Sequence, residues 1–304
     1  MLRQAIGDCQ VGIRRYETKE IGDDSHRRRV PMTIYYPAES WTKEYPYMEG
    51  QYQRSAPNVI DNGVRTYCGM EPEFKTTIVK AKVVLMNHGL CGYEMESTVL
   101  CADIASEGYV VVSIGHPFGA GAVTYTNEDF FGNSDNTEFG KHNLNVLGEL
   151  WKEDILHSIE YIYAMENGTT ESVFKGRLEL SDGVHLMGVS FGGCCSVAVA
   201  LQDKRVKDAV NLDGGLFVEL IPVFREKPIL ILRSFLNYKA NRKLDEVGCT
   251  NVRVEKFRKV THWEFSDGIY LGDKGKNNRK WADRISVVRA EMCLEFWGMP
   301  RMER

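Results

Sequence analysis

Apolar and polar positions follow two different patterns along the chain, and the pattern changes near residue 78. Before that point, residues 11–18 and 29–36 have the residue types and alternation of β-strands, and a polar turn separates them. Their spacing predicts an antiparallel hairpin. Residues 37–75, rich in tyrosine, proline and glycine, are then predicted to form a long loop. Loops of that length in compact domains are usually functional.

After residue 78, short apolar runs of strand length alternate with segments in which apolar residues recur every three or four positions. The second pattern predicts helices, most clearly over residues 147–165. The predicted strands are 83–86, 109–114, 184–187, 206–212, 228–232 and 252–257, and the predicted helices are 94–106, 147–165, 191–201 and 280–296.

This alternation predicts an α/β fold: a doubly wound, mostly parallel sheet with helices on both faces, extended by the antiparallel N-terminal strands. We interpret residues 1–304 as one domain, in which residues 1–75 supply the hairpin and aromatic loop and residues 117–145 a lid-like insertion. Ligands of such sheets bind beyond the carboxyl ends of the strands. The chemistry is therefore expected just after Met86, Met187, Leu212 and Phe257.

The composition excludes several classes of protein. The chain has 304 residues, of which 43% are hydrophobic and 26% charged, as is typical of a globular protein. No apolar run approaches the roughly 20 residues of a membrane span, so stable membrane insertion is not expected. A chain with a net charge of −4 lacks the basic character of a nucleic-acid-binding protein.

The eight cysteines are scattered, with no CxxC pair and no cysteine–histidine spacing suited to zinc. The N-terminal residues have neither the apolar core nor the cleavage site of a signal peptide. Abundant thiols without an export signal favour a reducing compartment. We therefore expect a cytoplasmic protein without a bound metal.

The most specific motif is Gly188-Val189-Ser190-Phe191-Gly192, which follows a predicted strand and begins a predicted helix. That context is typical of a nucleophile elbow, in which a serine lies on a strained turn and only small residues fit beside it. The hydroxyl then lies at the start of a helix, where backbone amides favour developing negative charge. We predict that Ser190 is a nucleophile; a phosphate-binding glycine loop or an ordinary tight turn is the alternative.

A serine nucleophile requires a histidine base and an acid that orients it, and on such an elbow the acid follows the serine and the histidine comes last. Asp213 ends the next predicted strand and is the predicted acid, with Asp208 as the competitor in the same segment. His262 lies just past the last predicted strand and is the one histidine downstream of Asp213. It is the predicted base.

The loop Asn87-His88-Gly89-Leu90-Cys91-Gly92 follows a strand expected near the elbow strand, and its glycines allow backbone amides to face a substrate. One donor to a developing oxyanion is expected to be the amide of Phe191, and the other an amide of this loop. We interpret His88 itself as structural.

The chain also contains the segments NHGLCGYEMEST, ADIASEGYVVVSIGHPFGAGAVTY, GVSFGG, NLDGGLF and VTHWEFSDG. Together these resemble the α/β-hydrolase fold, and more narrowly the platelet-activating factor acetylhydrolase group (the plasma and type II forms) and its bacterial esterase relatives. The resemblance spans residues 29–268. It implies Ser190 as nucleophile, Asp213 as acid, His262 as base, and the amides of Leu90 and Phe191 as the oxyanion donors.

The choice of Leu90 over Cys91 comes mainly from this resemblance. The elbow departs from the group at Val189, where histidine is frequent, and at Cys194-Cys195 after the glycines. Neither departure removes a catalytic group.

These residues predict a serine carboxylesterase, lipase-like in its chemistry, that forms an acyl-enzyme intermediate. The expected substrate is a short acyl or acetyl ester of a small molecule or a lipid, the lipid preference resting on the resemblance alone. No cofactor is implied, and no oligomeric state follows from the sequence. The alternatives are a lactone, thioester or amide hydrolase of the same fold, because a triad does not encode the leaving group, and a non-catalytic binding protein.

Overall fold

The computed structural model describes residues 2–47, 64–126, 130–132, 144–215, 226–237 and 249–299. Within these residues, eleven strands join in one sheet and two more form a separate hairpin. The strands are β1 (Gln10–Glu17), β2 (Pro31–Ala38), β3 (Glu44–Pro46), β4 (Arg65–Met70), β5 (Ala81–Asn87), β6 (Val110–Ile114), β7 (Ala122–Thr124), β8 (Phe130–Gly132), β9 (Leu178–Glu179), β10 (Val184–Val189), β11 (Val206–Leu212), β12 (Ile229–Ser234) and β13 (Val252–Phe257). The helices are α1 (Thr98–Ser106), α2 (Leu144–Asn167), α3 (Phe191–Gln202), α4 (Gly268–Leu271), α5 (Asp273–Asn277) and α6 (Arg279–Phe296), with a 3₁₀ turn at His262–Phe265.

The central part of the sheet is parallel. Neighbouring strands follow the order β13-β12-β11-β10-β5-β6, and each adjacent pair in that series is parallel. β2 lies antiparallel to β6 on one side and to β1 on the other. The predicted N-terminal hairpin is therefore confirmed, and it extends a mostly parallel sheet as expected.

Helices cover both faces of this sheet because its strands are apolar on both sides. In β5, Val83 and Leu85 pack in one cluster with residues of α2 and α3, whereas Val84 and Met86 pack in a second cluster with residues of α1 and α6. The division follows from strand geometry, in which successive side chains point to opposite faces. None of the described helices combines the length and the apolar character that crossing a membrane requires.

The prediction of a loop over residues 37–75 is wrong in part, because this segment contains β3 and β4. β4 pairs with β1 in parallel and with β3 in antiparallel orientation, so its hydrogen bonds go to partners that the local pattern of residues 65–70 does not reveal. Tyr45 and Tyr47 are buried, which means that these aromatic side chains pack onto the domain. Residues 48–63 lie outside the described part of the chain.

Other observed boundaries of helices also differ from the predicted ones. α1 begins at Thr98 instead of residue 94, because the amides of Glu96 and Thr98 bond to carbonyls three residues earlier, in turns. The expected lid-like insertion, residues 117–145, contains the β7–β8 hairpin, and α2 already begins at Leu144. Its residues 127–129 and 133–143 lie outside the described structure, and its role as a lid stays a prediction.

A buried ion pair connects the N-terminal strands with α2. Arg28 Nε donates to Asp154 Oδ1 (2.6 Å), and both side chains are almost inaccessible to solvent. The other carboxylate oxygen of Asp154 accepts a hydrogen bond from His116 Nδ1 (3.0 Å). Burial raises the pKa of Asp154 to about 7, although the Arg28 guanidinium opposes that rise.

Asp154→Ala is expected to lower the free energy of unfolding at pH 8 by about 3–5 kcal/mol, because it leaves Arg28 as a buried cation without its buried partner. Glu153 is the matched control, since it pairs with the same Arg28 through a side chain that is 54% exposed. Glu153→Ala is expected to cost less than about 1 kcal/mol. Urea denaturation measures both variants, and equal losses would contradict the dominance of the buried pair.

Candidate active site

Ser190 lies on a strained turn at the end of β10. β10 ends at Val189 and α3 begins at Phe191, so Ser190 is the single residue between strand and helix. Its backbone has φ 54° and ψ −121°, a conformation that residues with side chains rarely adopt. Backbone hydrogen bonds support the turn: the Ser190 amide donates to Leu212 O (2.9 Å), and the Ser190 carbonyl accepts from the Cys194 amide (3.1 Å).

Glycines are required on both sides of this serine because the neighbouring backbone segments are in contact. A Cβ at Gly188 would lie 2.3 Å from the carbonyl carbon of Gly192, and a Cβ at Gly192 would lie 2.3 Å from His88 O. Real Cβ atoms do not approach other atoms so closely. The glycines of the GxSxG motif therefore reflect close packing of the elbow against itself and against the loop after β5.

His262 lies within hydrogen-bonding distance of Ser190. The imidazole Nε2 is 2.8 Å from Ser190 Oγ, and Nδ1 is 2.8 Å from Asp213 Oδ2. The carboxylate next to Nδ1 fixes the tautomer, so Nδ1–H donates to Asp213 and Nε2 accepts from the serine hydroxyl. The structure thus brings together the three side chains that the sequence identified in separate segments.

A short capped turn fixes the backbone of His262. Thr261 and Glu264 form a reciprocal capping box around the 3₁₀ turn, and Glu264 Oε1 also pairs with Lys274 Nζ (2.9 Å). The imidazole nevertheless remains accessible, because 47% of its side-chain surface is exposed. A water molecule can therefore approach this ring from solvent.

Asp213 is buried at the carboxyl end of β11, with 1% of its side chain exposed. Its Oδ1 accepts from the amide of Ser234 (2.6 Å), while Oδ2 accepts from His262. The Asp213 carbonyl accepts from Asn237 Nδ2 (2.8 Å). These contacts fix the orientation of a carboxylate that is able to stabilise an imidazolium ion.

The loop after β5 contributes backbone amides beside Ser190. Three of the amides of residues 89–92 have protein acceptors: Gly89 donates to Glu96 Oε1 (2.6 Å), Cys91 to Gly119 O (2.7 Å), and Gly92 to Gly89 O (2.9 Å). The Leu90 amide has no acceptor among the described residues. Phe191 is the first residue of α3, and the first amides of a helix have no acceptor within it. The two amides expected as oxyanion donors are thus available to a ligand.

Two cavities meet at Ser190 and His262. The first has a volume of about 270 Å³ and a largely apolar lining that includes Leu90, Tyr93, Val189 and Leu271. The second, of about 360 Å³, is lined by residues that include Asp213, Ser234 and Leu236. No lysine or arginine lines either cavity in the described structure, so neither offers a cation to a negatively charged substrate.

The other candidate residues have different partners. The Asp208 carboxylate accepts from His185 Nδ1 (2.9 Å) and Trp297 Nε1 (3.0 Å), so it does not serve His262. His88 is buried, donates from Nδ1 to Gly89 O (2.7 Å) and accepts from the His116 amide at Nε2 (3.1 Å). Burial lowers the pKa of His88, so the ring is neutral and structural, as expected. Among the residues described, no group of three or more histidine, cysteine or acidic side chains is arranged to bind a metal ion.

Glu96 is a site residue that the sequence did not indicate. Its side chain lines the first cavity together with Ser190 and His262, and it is the one carboxyl among the described lining residues there. Burial raises the pKa of Glu96 to about 7, against the opposing effects of the Gly89 amide and His262. No local pattern distinguishes this glutamate from a solvent-exposed one; the one signal is that it follows the glycine-rich loop closely in sequence.

Comparisons with known proteins agree with this architecture. A family model described as "Platelet-activating factor acetylhydrolase, isoform II" matches residues 1–146, just under half of the chain. A solved structure of ferulic acid esterase from Streptomyces cinnamoneus superposes with a TM-score of 0.80 at 20% identity, covering 100% of this chain and 95% of that one.

The fold is also similar, at a lower TM-score, to part of a larger enzyme. Acylaminoacyl peptidase from Pyrococcus horikoshii superposes with a TM-score of 0.55 at 16% identity, covering 97% of this chain. The superposition takes in 43% of the peptidase, so the chain spans less than half the length of that protein.

At these identities the structural matches establish architecture alone, and they confirm the predicted fold class. The family match adds sequence similarity over the N-terminal half, in line with the resemblance expected from the motifs. The chain therefore has the α/β-hydrolase fold and, over its first 146 residues, is similar to platelet-activating factor acetylhydrolase isoform II.

Proposed function

We propose that the protein is a serine carboxylesterase that cleaves a neutral carboxylic ester through an acyl-enzyme intermediate. The observation that supports this best is the hydrogen-bonded series from Ser190 Oγ to His262 Nε2 and from His262 Nδ1 to Asp213 Oδ2, with both distances 2.8 Å. A serine hydroxyl becomes an effective nucleophile when an oriented imidazole accepts its proton.

In the acylation step, Ser190 Oγ attacks the ester carbonyl carbon while its proton moves to His262 Nε2. The carbonyl oxygen becomes an oxyanion that accepts hydrogen bonds from the amides of Leu90 and Phe191. Asp213 stabilises the imidazolium ion. The bond between carbon and the alcohol oxygen then breaks, and Nε2 returns its proton to the leaving alcohol.

In the deacylation step, a water molecule enters at the accessible face of His262 and gives a proton to Nε2 as its oxygen attacks the acyl-enzyme. A second oxyanion forms at the same two amides. Its collapse breaks the bond to Ser190 Oγ, which recovers the proton from Nε2, and the carboxylic acid is released.

The comparisons support ester chemistry over the other reactions available to this fold. The matching family is described as an acetylhydrolase, and the solved structure that superposes over 95% of its own chain is a ferulic acid esterase. The cavities favour a neutral substrate, because the described lining supplies a carboxyl group and no lysine or arginine. A small-molecule or lipid ester meets these requirements. The cytoplasmic location expected from the cysteine pattern stays a prediction.

The acyl-length preference tests this proposal. The first cavity, at about 270 Å³, is smaller than most ligand pockets, which span roughly 300–1,000 Å³. p-Nitrophenyl acetate and butyrate are therefore expected to be hydrolysed with kcat/KM at least about tenfold above that of p-nitrophenyl laurate. Steady-state rates of p-nitrophenol release across the series measure this.

Matched thioester, lactone and p-nitroanilide substrates with the same acyl group provide the comparison. The ester is expected to be the fastest of the four. Faster hydrolysis of the anilide would indicate an amidase, and faster hydrolysis of the lactone or the thioester would indicate a lactonase or a thioesterase. Absence of turnover on every substrate would favour a non-catalytic binding protein.

A further inference from the structure

Glu96 connects two of the segments that form the proposed active site. Its side-chain Oε1 accepts the amide of Gly89 at 2.6 Å, in the loop after β5. Its main-chain carbonyl accepts the amide of Asp267 at 2.7 Å, two residues beyond the 3₁₀ turn that begins at His262. One residue therefore contacts both the loop that contains the Leu90 amide and the segment that follows His262.

The Glu96 carboxyl is packed inside the turn formed by residues 89–92. A Cβ at Gly92 would lie 2.1 Å from Glu96 Oε2, so that glycine leaves the space that the carboxyl occupies. A Cβ at Gly89 would lie 3.4 Å from Ser190 Cβ and 3.5 Å from Glu96 Oε1. The carboxyl and the nucleophile thus lie close to the same face of Gly89.

The two peptide units that flank the Gly89 α-carbon are fixed by different partners. The unit between residues 89 and 90 contains both the Gly89 carbonyl and the Leu90 amide, and its carbonyl accepts from His88 Nδ1 (2.7 Å) and the Gly92 amide (2.9 Å). Peptide planarity makes the Leu90 N–H point away from those partners. The preceding unit contains the Gly89 amide, whose acceptor is Glu96.

We propose that Glu96 is a positioning residue for the oxyanion site: by accepting the Gly89 amide, it fixes the backbone so that the Leu90 amide points at the reacting carbonyl oxygen. This inference rests on the proposed function. Glycine rotates about φ and ψ more freely than any other residue. With the preceding peptide unit released, the two hydrogen bonds to the Gly89 carbonyl would be the remaining restraint on the Leu90 N–H. Its direction would then vary more, and the charge on the oxyanion would be less stabilised.

The reach of Oε1 matters for this role, and the charge of the carboxyl does not. Both a neutral and an ionised carboxyl accept a hydrogen bond from an amide. Glutamine retains an acceptor oxygen at the same position without a charge, whereas aspartate retains the charge on a side chain shorter by one methylene. Glu96→Gln and Glu96→Asp therefore separate the two properties at one position.

Glu96→Asp is expected to lower kcat on p-nitrophenyl acetate by about 10–100-fold. Complete removal of one oxyanion donor lowers kcat by about 10²–10³-fold, and here the donor remains but points less accurately. KM is expected to stay within about threefold of wild type, because the ground-state carbonyl depends less on these amides. Glu96→Gln, which retains the acceptor oxygen, is expected to restore most of the kcat that Glu96→Asp loses. A kcat for Glu96→Asp within twofold of wild type, or an equal loss in Glu96→Gln, would overturn the proposal.

A second measurement needs no substrate and separates this proposal from the proposed function. Hydrogen exchange of the Gly89 amide, followed by NMR, is expected to be at least about tenfold faster in Glu96→Asp than in wild type, and close to wild type in Glu96→Gln. Unchanged exchange in Glu96→Asp would overturn the positioning role. If the wild type hydrolyses no ester, the function fails, and exchange alone still decides whether Glu96 fixes the turn.

Discussion

Ser190→Ala is expected to lower kcat on p-nitrophenyl acetate by about 10⁴–10⁶-fold, while leaving a small residual rate from binding and the backbone amides. The reason is that the alanine has no oxygen to form the acyl-enzyme, although His262 and Asp213 remain paired. Labelling by a fluorophosphonate probe, which requires an activated serine, is expected to disappear in the same variant. Intact-protein mass spectrometry measures the labelled fraction.

Ser181→Ala provides the control, since Ser181 is an exposed serine in a turn whose hydroxyl bonds to Glu179. Its activity and labelling are expected to match wild type. Comparable ester hydrolysis by wild type and Ser190→Ala would remove Ser190 as the nucleophile. Labelling that persists in Ser190→Ala would lead to the same conclusion and would direct attention to another serine.

Asp213→Asn is expected to lower kcat by about 10³–10⁴-fold, because the amide of asparagine stabilises the imidazole tautomer with its proton on the wrong nitrogen. In that tautomer, Nε2 carries the proton and does not accept from Ser190. The buried site strengthens the effect, since bulk water does not reach Asp213 to restore the lost acceptor. Both kcat, measured from steady-state kinetics, and the rate of fluorophosphonate labelling are expected to fall.

Asp208→Asn is the matched control because Asp208, which lies within β11, is also a buried aspartate bonded to a histidine, His185. Its kcat is expected to stay within about threefold of wild type, while its melting temperature falls as a buried hydrogen-bonded charge is removed. A loss of activity in Asp208→Asn as large as in Asp213→Asn would show that both act through stability, and would contradict a role for Asp213 as the orienting acid.

The sequence predicted the parallel centre of the sheet well because its strands are buried on both faces. Such strands appear as apolar runs between segments of helical period, as at residues 109–114, where the prediction differs from β6 (Val110–Ile114) by one residue. β3 and β4 were missed because a short strand is specified by the partner beside it, and β4 pairs with residues far away in sequence. Pairing of that kind leaves no periodic signal.

For the site, the sequence identified the residues whose chemistry is restricted to few amino-acid types. Ser190 requires glycines around it, and Asp213 and His262 follow in a fixed order along the chain. Glu96 was missed because its carboxyl contacts a backbone amide, and any acceptor of suitable length would serve. Packing determines that residue, and packing is not visible in a local pattern.

The groups around Ser190 lie on connecting segments beyond the carboxyl ends of the strands. The two apolar clusters lie against the faces of the sheet. Chemistry and stability are consequently encoded in different stretches of the gene. Over evolution, insertions and substitutions in the connecting segments can change the substrate that is cleaved, while the packed sheet and helices keep their free energy of unfolding. Engineering a new substrate range should therefore begin with grafted loops and leave the interior of the sheet untouched.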